Sequence, residues 1–133
     1  MPAGGRLHRM TIGEKPLEDV VSRRAIRRAY REAGGDPEAD VRKIAEAARG
    51  GSAPARRVLD AAMSALGRIV GRCCAGFRAD VLVIGGSMSA SWDLLEPAFR
   101  AGALGNGLPR IALAHDSDRA PLIGAALHAV RRR

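Results

Sequence analysis

The residues best suited to chemistry are Gly85, Gly86 and Ser87, which end the run DVLVIGGS from Asp80 to Ser87. A short, wholly apolar stretch that stops at two glycines and a small hydroxyl residue describes an extended segment turning sharply at its end. Glycine has no Cβ and accepts positive φ, so backbone amides at such a turn can approach a ligand at a sheet edge, the way phosphates and nucleotides are commonly held. A buried strand followed by a tight turn, with Ser87 as a helix cap, accounts for the same letters. The flanking elements must decide.

Other candidate groups carry less. His115, Asp116 and Asp118 form a polar turn that reads as a helix cap and solvated loop in preference to a metal or acid–base site. Cys73 and Cys74 are adjacent, which excludes an ordinary unstrained disulfide between them, and no second Cys or His pair completes a zinc site; they read as small buried hydrophobes in a long helix. Trp92 reads as the anchor of its helix and not as a platform for a base. Arg23, Arg24, Arg27, Arg28 and Arg31 recur at helical spacing on one broad side of a helix. Without interleaved aromatics or a helix-turn-helix, the cluster reads as a solvated face.

These residues need elements to position them. Residues 1–15, rich in glycine and basic side chains with no sustained period, predict a mobile or edge segment. Pro16 can open a helix running to about Ala33, with Leu17, Val20, Val21, Ala25, Ile26, Ala29 and Tyr30 on its buried side and Gly34-Gly35 ending it. Asp36, followed by Pro37, predicts the cap of a second helix whose Val41, Ile44, Ala45 and Ala48 form an apolar stripe; Gly50-Gly51 closes it and Ser52 caps the next. From Ala53 to Phe77 the residues Leu59, Ala62, Leu66, Ile69, Cys73 and Phe77 recur at steps of three or four, which defines a long amphipathic helix.

Val81 to Ile84 is apolar on both faces, which predicts a parallel strand covered by helices on each side. Ser89 or Ser91 can cap a helix through about Ala103, and the strand RIALA follows from Arg110 to Ala114. Asp118 or Ser117 can cap a last helix, with Pro121 in its first turn and Ile123, Leu127 and Val130 packing inward. The order strand-helix-strand-helix implies an α/β fold with a parallel sheet, yet two strands rarely make such a sheet alone. The chain therefore reads as part of a lobe, expected either to self-associate or to be a poorly stable monomer.

Composition bounds the rest. At 133 residues with a hydrophobic fraction of 47% and only 3% aromatics, the chain can build one domain whose core is mostly Ala, Val, Leu and Ile. A formal charge of +8 invites a nucleic-acid hypothesis, but lysine occurs only at Lys15 and Lys43, and arginine in an alanine- and glycine-rich chain is what a GC-rich genome produces. DNA binding through this chain is not expected. With no signal peptide and no long apolar span, a cytoplasmic protein without a membrane partner is expected.

The long helix into Val81, the Gly85-Gly86 turn, the helix carrying Trp92 and Leu95, the RIALA strand, the closing APLIGAALHAV and the upstream LEDVVSRRAI at Leu17 to Ile26 together resemble the C-terminal part of the ROK family. That family groups sugar kinases, open reading frames and sugar-responsive repressors, and the resemblance runs from about Leu17 to Val130. It implies a C-terminal portion of a ribonuclease H-like, actin-like ATPase lobe over residues 16–133, with Gly85, Gly86 and Ser87 facing ATP and its magnesium. Glu18, in PLE, stands where the family's sugar kinases place a sugar-binding glutamate after their zinc loop; a first-turn glutamate favoured by the helix dipole accounts for it equally. Gly124 matches a small residue that allows close helix packing in the family's last helix.

Departures from the family are as informative. TIGEKPLE contains no cysteine and His8 stands alone, so neither zinc nor any other metal is assigned. The Asp-X-Gly-X-Thr phosphate loop and the Asn-Asp pair holding the catalytic aspartate, which the family carries in its N-terminal part, match nothing in these residues. The resemblance implies the nucleotide-facing lobe of a hexose kinase, inactive alone and completed by an N-terminal lobe. Its alternative is the sugar-sensing core of a repressor.

Overall fold

A 3-10 turn at Leu7–Arg9 leads into two-residue strands β1 (Thr11–Ile12) and β2 (Lys15–Pro16), paired antiparallel. The computed structural model describes residues 7–105, 107–115, 119, 122, 126 and 128–130. The stretch before Pro16, expected to be a mobile or edge segment, thus holds a small hairpin from Thr11 onward.

The single helix predicted from Pro16 to Ala33 is two, α1 (Glu18–Val21) and α2 (Arg23–Glu32). Ser22 breaks it: its backbone is extended (φ −66°, ψ 155°) and its hydroxyl accepts from the Ala25 amide at 3.2 Å. A serine hydroxyl satisfies an amide that would otherwise be unpaired at a helix start, so it begins a new helix as readily as it continues an old one. The stripe holds, with Leu17, Ala25, Ile26 and Tyr30 buried.

The next helix, α3 (Val41–Arg49), starts later than predicted. Asp36 turns the loop by accepting from the Glu38 amide at 2.9 Å, and Asp40 is the residue that caps, accepting from the Lys43 amide at 2.8 Å. Ser52 caps α4 (Ala53–Phe77) through the Ala55 amide at 3.4 Å, with the bounds the sequence predicts. Its stripe is buried at Leu59, Ala62 and Ile69 but rotates off the core by its last turns, where Cys74 is buried in place of Cys73 and Phe77 is 56% exposed.

Strand β3 (Val81–Ile84), helix α5 (Trp92–Gly102) and strand β4 (Arg110–Leu113) complete the described elements. The strands are parallel, Val81 opposite Arg110 through Ile84 opposite Leu113, and the Ala114 amide extends the ladder to the Ile84 carbonyl at 2.8 Å. Only one face of β3 is covered among the described residues. Leu82 and Ile84 pack on the core, whereas Val81 is 40% and Val83 58% exposed, so the described helices cover one of the two faces expected to be covered. Side chains alternate along a strand, and α4 and α5 supply one layer only. Within the predicted last helix, Asp116, Ser117, Asp118, Pro121, Ile123, Gly124 and Leu127 lie outside the described residues; Val130 is 71% exposed and does not pack inward.

The core gathers Leu17, Ile44, Leu59, Met63, Ile69 and Phe99. Trp92 meets Phe99 edge-on, ring centroids 5.2 Å apart, so it anchors α5 as expected. Helices α4 and α5 cross at two glycines: a Cβ on Gly67 would overlap the Phe99 carbonyl oxygen, and one on Gly102 the Ser64 carbonyl oxygen. Among the described residues no helix is long and apolar enough to cross a membrane.

Candidate functional site

The turn after β3 is built as the sequence requires for close approach. Gly85 is extended (φ −131°, ψ −176°), and Gly86 turns the chain with φ +71°, a left-handed conformation that a side-chain-bearing residue rarely adopts. A Cβ on Gly86 would meet nothing within 4 Å, so the space beyond it is open and the need for glycine is conformational. Residues Gly86–Ser91 form a 3-10 helix in which the Ser89 hydroxyl donates to the Gly86 carbonyl at 2.8 Å. Ser91 occupies the cap position of α5 but makes no side-chain capping bond.

A groove of about 1250 Å³ opens between this turn and the helices α2 and α3. Ile26, Leu59, Met63, Met88 and Leu95 give it an apolar floor, and Ser87 and Ser91 stand on the wall formed by the turn. The opposite walls are cationic. Arg23, Arg24, Arg27, Arg28 and Arg31 line it from α2, and Arg42 and Arg49 from α3, against the carboxylates of Asp40 and Glu46. Helical spacing shows that the α2 arginines share a face, but only the placement of α3 and the turn across from them makes that face a wall.

Arg49 grips Asp93 at the start of α5 with a two-pronged ion pair, 2.6 and 2.7 Å. It ties the end of α3 to the helix that follows the glycine turn. Hydrogen bonding to Arg49 lowers the Asp93 carboxyl from 3.8 to about 2. A carboxyl depressed in the folded state stabilises the fold above its unfolded pKa and loses that contribution as pH falls through the folded one. Urea midpoints of the unaltered chain and Asp93→Asn should therefore differ most above pH ~4 and converge toward pH ~2. Both side chains are well exposed, so 1 M salt should also shrink the difference. A gap that ignores both pH and salt would mean that the pair is not the cause.

The other sequence candidates sit apart from the groove. Glu18 is exposed at the first residue of α1 and does not line it. His115 is exposed just beyond β4. Cys74 is buried, which pushes its thiol pKa up, and the half-buried Cys73 has its sulfur 4.0 Å from that of Met10. Among the described residues no three His, Cys, Asp or Glu side chains are grouped to hold a metal ion. The donors of the groove suit an anion; a bare cation would meet mainly guanidinium groups.

Parallel strands joined through a helix, a glycine turn at the strand's end and a helix-lined groove beside it make a partial α/β lobe, and its likeness to solved sugar-kinase structures places it in the actin-like ATPase fold. The chain belongs to the ROK family, whose sequence model matches residues 13–132. Its backbone is similar to that of a Cytophaga hutchinsonii protein provisionally named a sugar kinase, with a TM-score of 0.81 at 21% identity over 96% of this chain and 48% of that one. It is also similar to the ROK hexokinase of Thermus thermophilus, with a TM-score of 0.75 at 26% identity over 94% of this chain and 47% of that one. The chain thus spans about half the length of the solved structures it matches. No curated protein sequence matches it.

Proposed function

We propose that this chain is the C-terminal, nucleotide-facing part of an ATP-dependent hexose kinase of the ROK type. The observation that carries the reading is the left-handed Gly86 beside Ser87 at the mouth of the groove, in a chain whose fold matches a ROK hexokinase. In this reading the purine lies on the apolar floor, and Gly85, Gly86 and Ser87 supply the close backbone approach. Bound ATP supplies the phosphoryl group, and its magnesium arrives on the phosphates. The sugar is met by Glu18 in the complete protein, outside the groove.

In this reading the opposite jaw of the clamp, with the phosphate loop and the base that deprotonates the sugar, is a separate N-terminal lobe, because neither motif occurs in these residues. The exposed Phe77, Val81, Val83 and Leu113 support the reading of a lobe built to be covered. Calorimetric titration with Mg-ATP should show binding by the chain alone, and hexose phosphorylation should be absent. Hexose kinase activity from the purified chain would refute the assigned division of labour, and no nucleotide binding at millimolar ATP would refute the site.

The lack of thiolates in TIGEKPLE favours a second reading, the sugar-sensing core of a ROK repressor. Saturable binding of a hexose without any binding of ATP would select it.

A further inference from the structure

We propose that the arginine face of α2 is a subsite for a phosphoanhydride chain. The inference rests on the nucleotide reading of the groove and names the side chains that take the ligand's charge. Arg23, Arg27 and Arg31 form one row of that face, eight residues or about 12 Å along the helix axis, with Arg24 and Arg28 beside it. Like charges four residues apart oppose helix formation, and α2 carries them at 23 and 27, 24 and 28, and 27 and 31. A polyanion along the row would relieve that repulsion.

Among the described residues no carboxylate is paired with the row. Arg23, Arg24 and Arg31 make no hydrogen bond or ion pair among the described residues. Arg27 and Arg28 donate to the backbone carbonyls of Ala39 and Asp19 at 3.1 and 3.3 Å, which holds the guanidinium groups in place without cancelling their charge. Across the groove the cations are already matched, Arg42 with Glu46 and Arg49 with Asp93. The guanidinium fork pairs with two phosphate oxygens at once. A linear chain of phosphates offers successive charges to such a row, as a single carboxylate cannot.

The test is calorimetric titration of the 133-residue chain with ATP, adenosine and inorganic tripolyphosphate. Arg24→Gln/Arg31→Gln should bind ATP and tripolyphosphate at least about tenfold more weakly, a loss that shrinks in high salt, and bind adenosine as before. Arg24→Lys/Arg31→Lys should fall between, keeping the charge and losing the fork. Arg68→Gln/Arg72→Gln removes the same charge from exposed positions on α4 outside the groove and should change nothing.

Loss of both ATP and tripolyphosphate affinity in the α2 variant, with adenosine binding kept, supports the nucleotide as the source of the chain. Unaltered affinity in the α2 variant, an equal loss in the α4 variant, or ATP binding no tighter than adenosine would each overturn the subsite. If tripolyphosphate binds and adenosine does not, the nucleotide reading fails while the subsite stands.

Discussion

Gly102→Val should cost about 3 kcal/mol or more of folding stability, read as a fall in the urea midpoint with little change in slope. At this crossing the helix backbones touch, because Gly67 of α4 faces the Phe99 carbonyl and Gly102 of α5 faces the Ser64 carbonyl. A side chain there meets main-chain atoms, which cannot swing aside as the end of a flexible side chain can. The helices must separate, and the buried contacts of Leu95 and Phe99 with α4 loosen with them. Alanine normally favours a helix interior over glycine by up to about 1 kcal/mol, so Gly67→Ala tests the idea from the opposite expectation. It should destabilise despite that gain. A stable Gly67→Ala would mean that the crossing has room to spare.

The second large effect concerns the glycine turn. Gly86→Val places a β-branched residue at φ +71°, where L-residues are disfavoured by about 1–2 kcal/mol or more, and the turn should relax out of that conformation. Ser87 and the amides beside it then leave their places on the groove wall. ATP affinity should fall at least about tenfold, while the thermal transition stays cooperative. Gly86→Asn makes the comparison sharp, because asparagine tolerates left-handed backbone and the space beyond Gly86 is open. It should retain most of the affinity. Valine and asparagine variants with equal, undiminished affinity would show that the turn serves the fold alone.

Much of this arrangement was legible from residue order. The bounds of α4, the strand ending at Gly85-Gly86 and the burial of Ile44, Leu59 and Ile69 follow from local periodicity and capping, which act over a few residues. Ser22 and Asp40 are not marked as caps by the sequence because a serine or aspartate alone leaves open which amide it will satisfy. The exposed Val83 was not legible at all. An aliphatic run looks the same whether one face or both are covered, and the difference lies in elements distant along the chain.

The groove was half legible. Gly86 and Ser87 stand out by type, but the α2 arginines acquire their role only when α3 and the turn are placed opposite them. Glu18 shows the converse. Its place beside a family motif made it a candidate, and the fold sets it outside the groove, at the first residue of a short helix.

Strands β3 and β4 pair with each other alone among the described residues, so each keeps one row of backbone amides and carbonyls without a ladder partner. The two rows are not equally guarded. β4 begins with the charged Arg110, whereas β3 is four aliphatic residues in succession, two of them facing outward. Charge on an edge discourages foreign strands and bare aliphatic edges recruit them, so sheet growth, whether correct assembly or aggregation, should begin at β3.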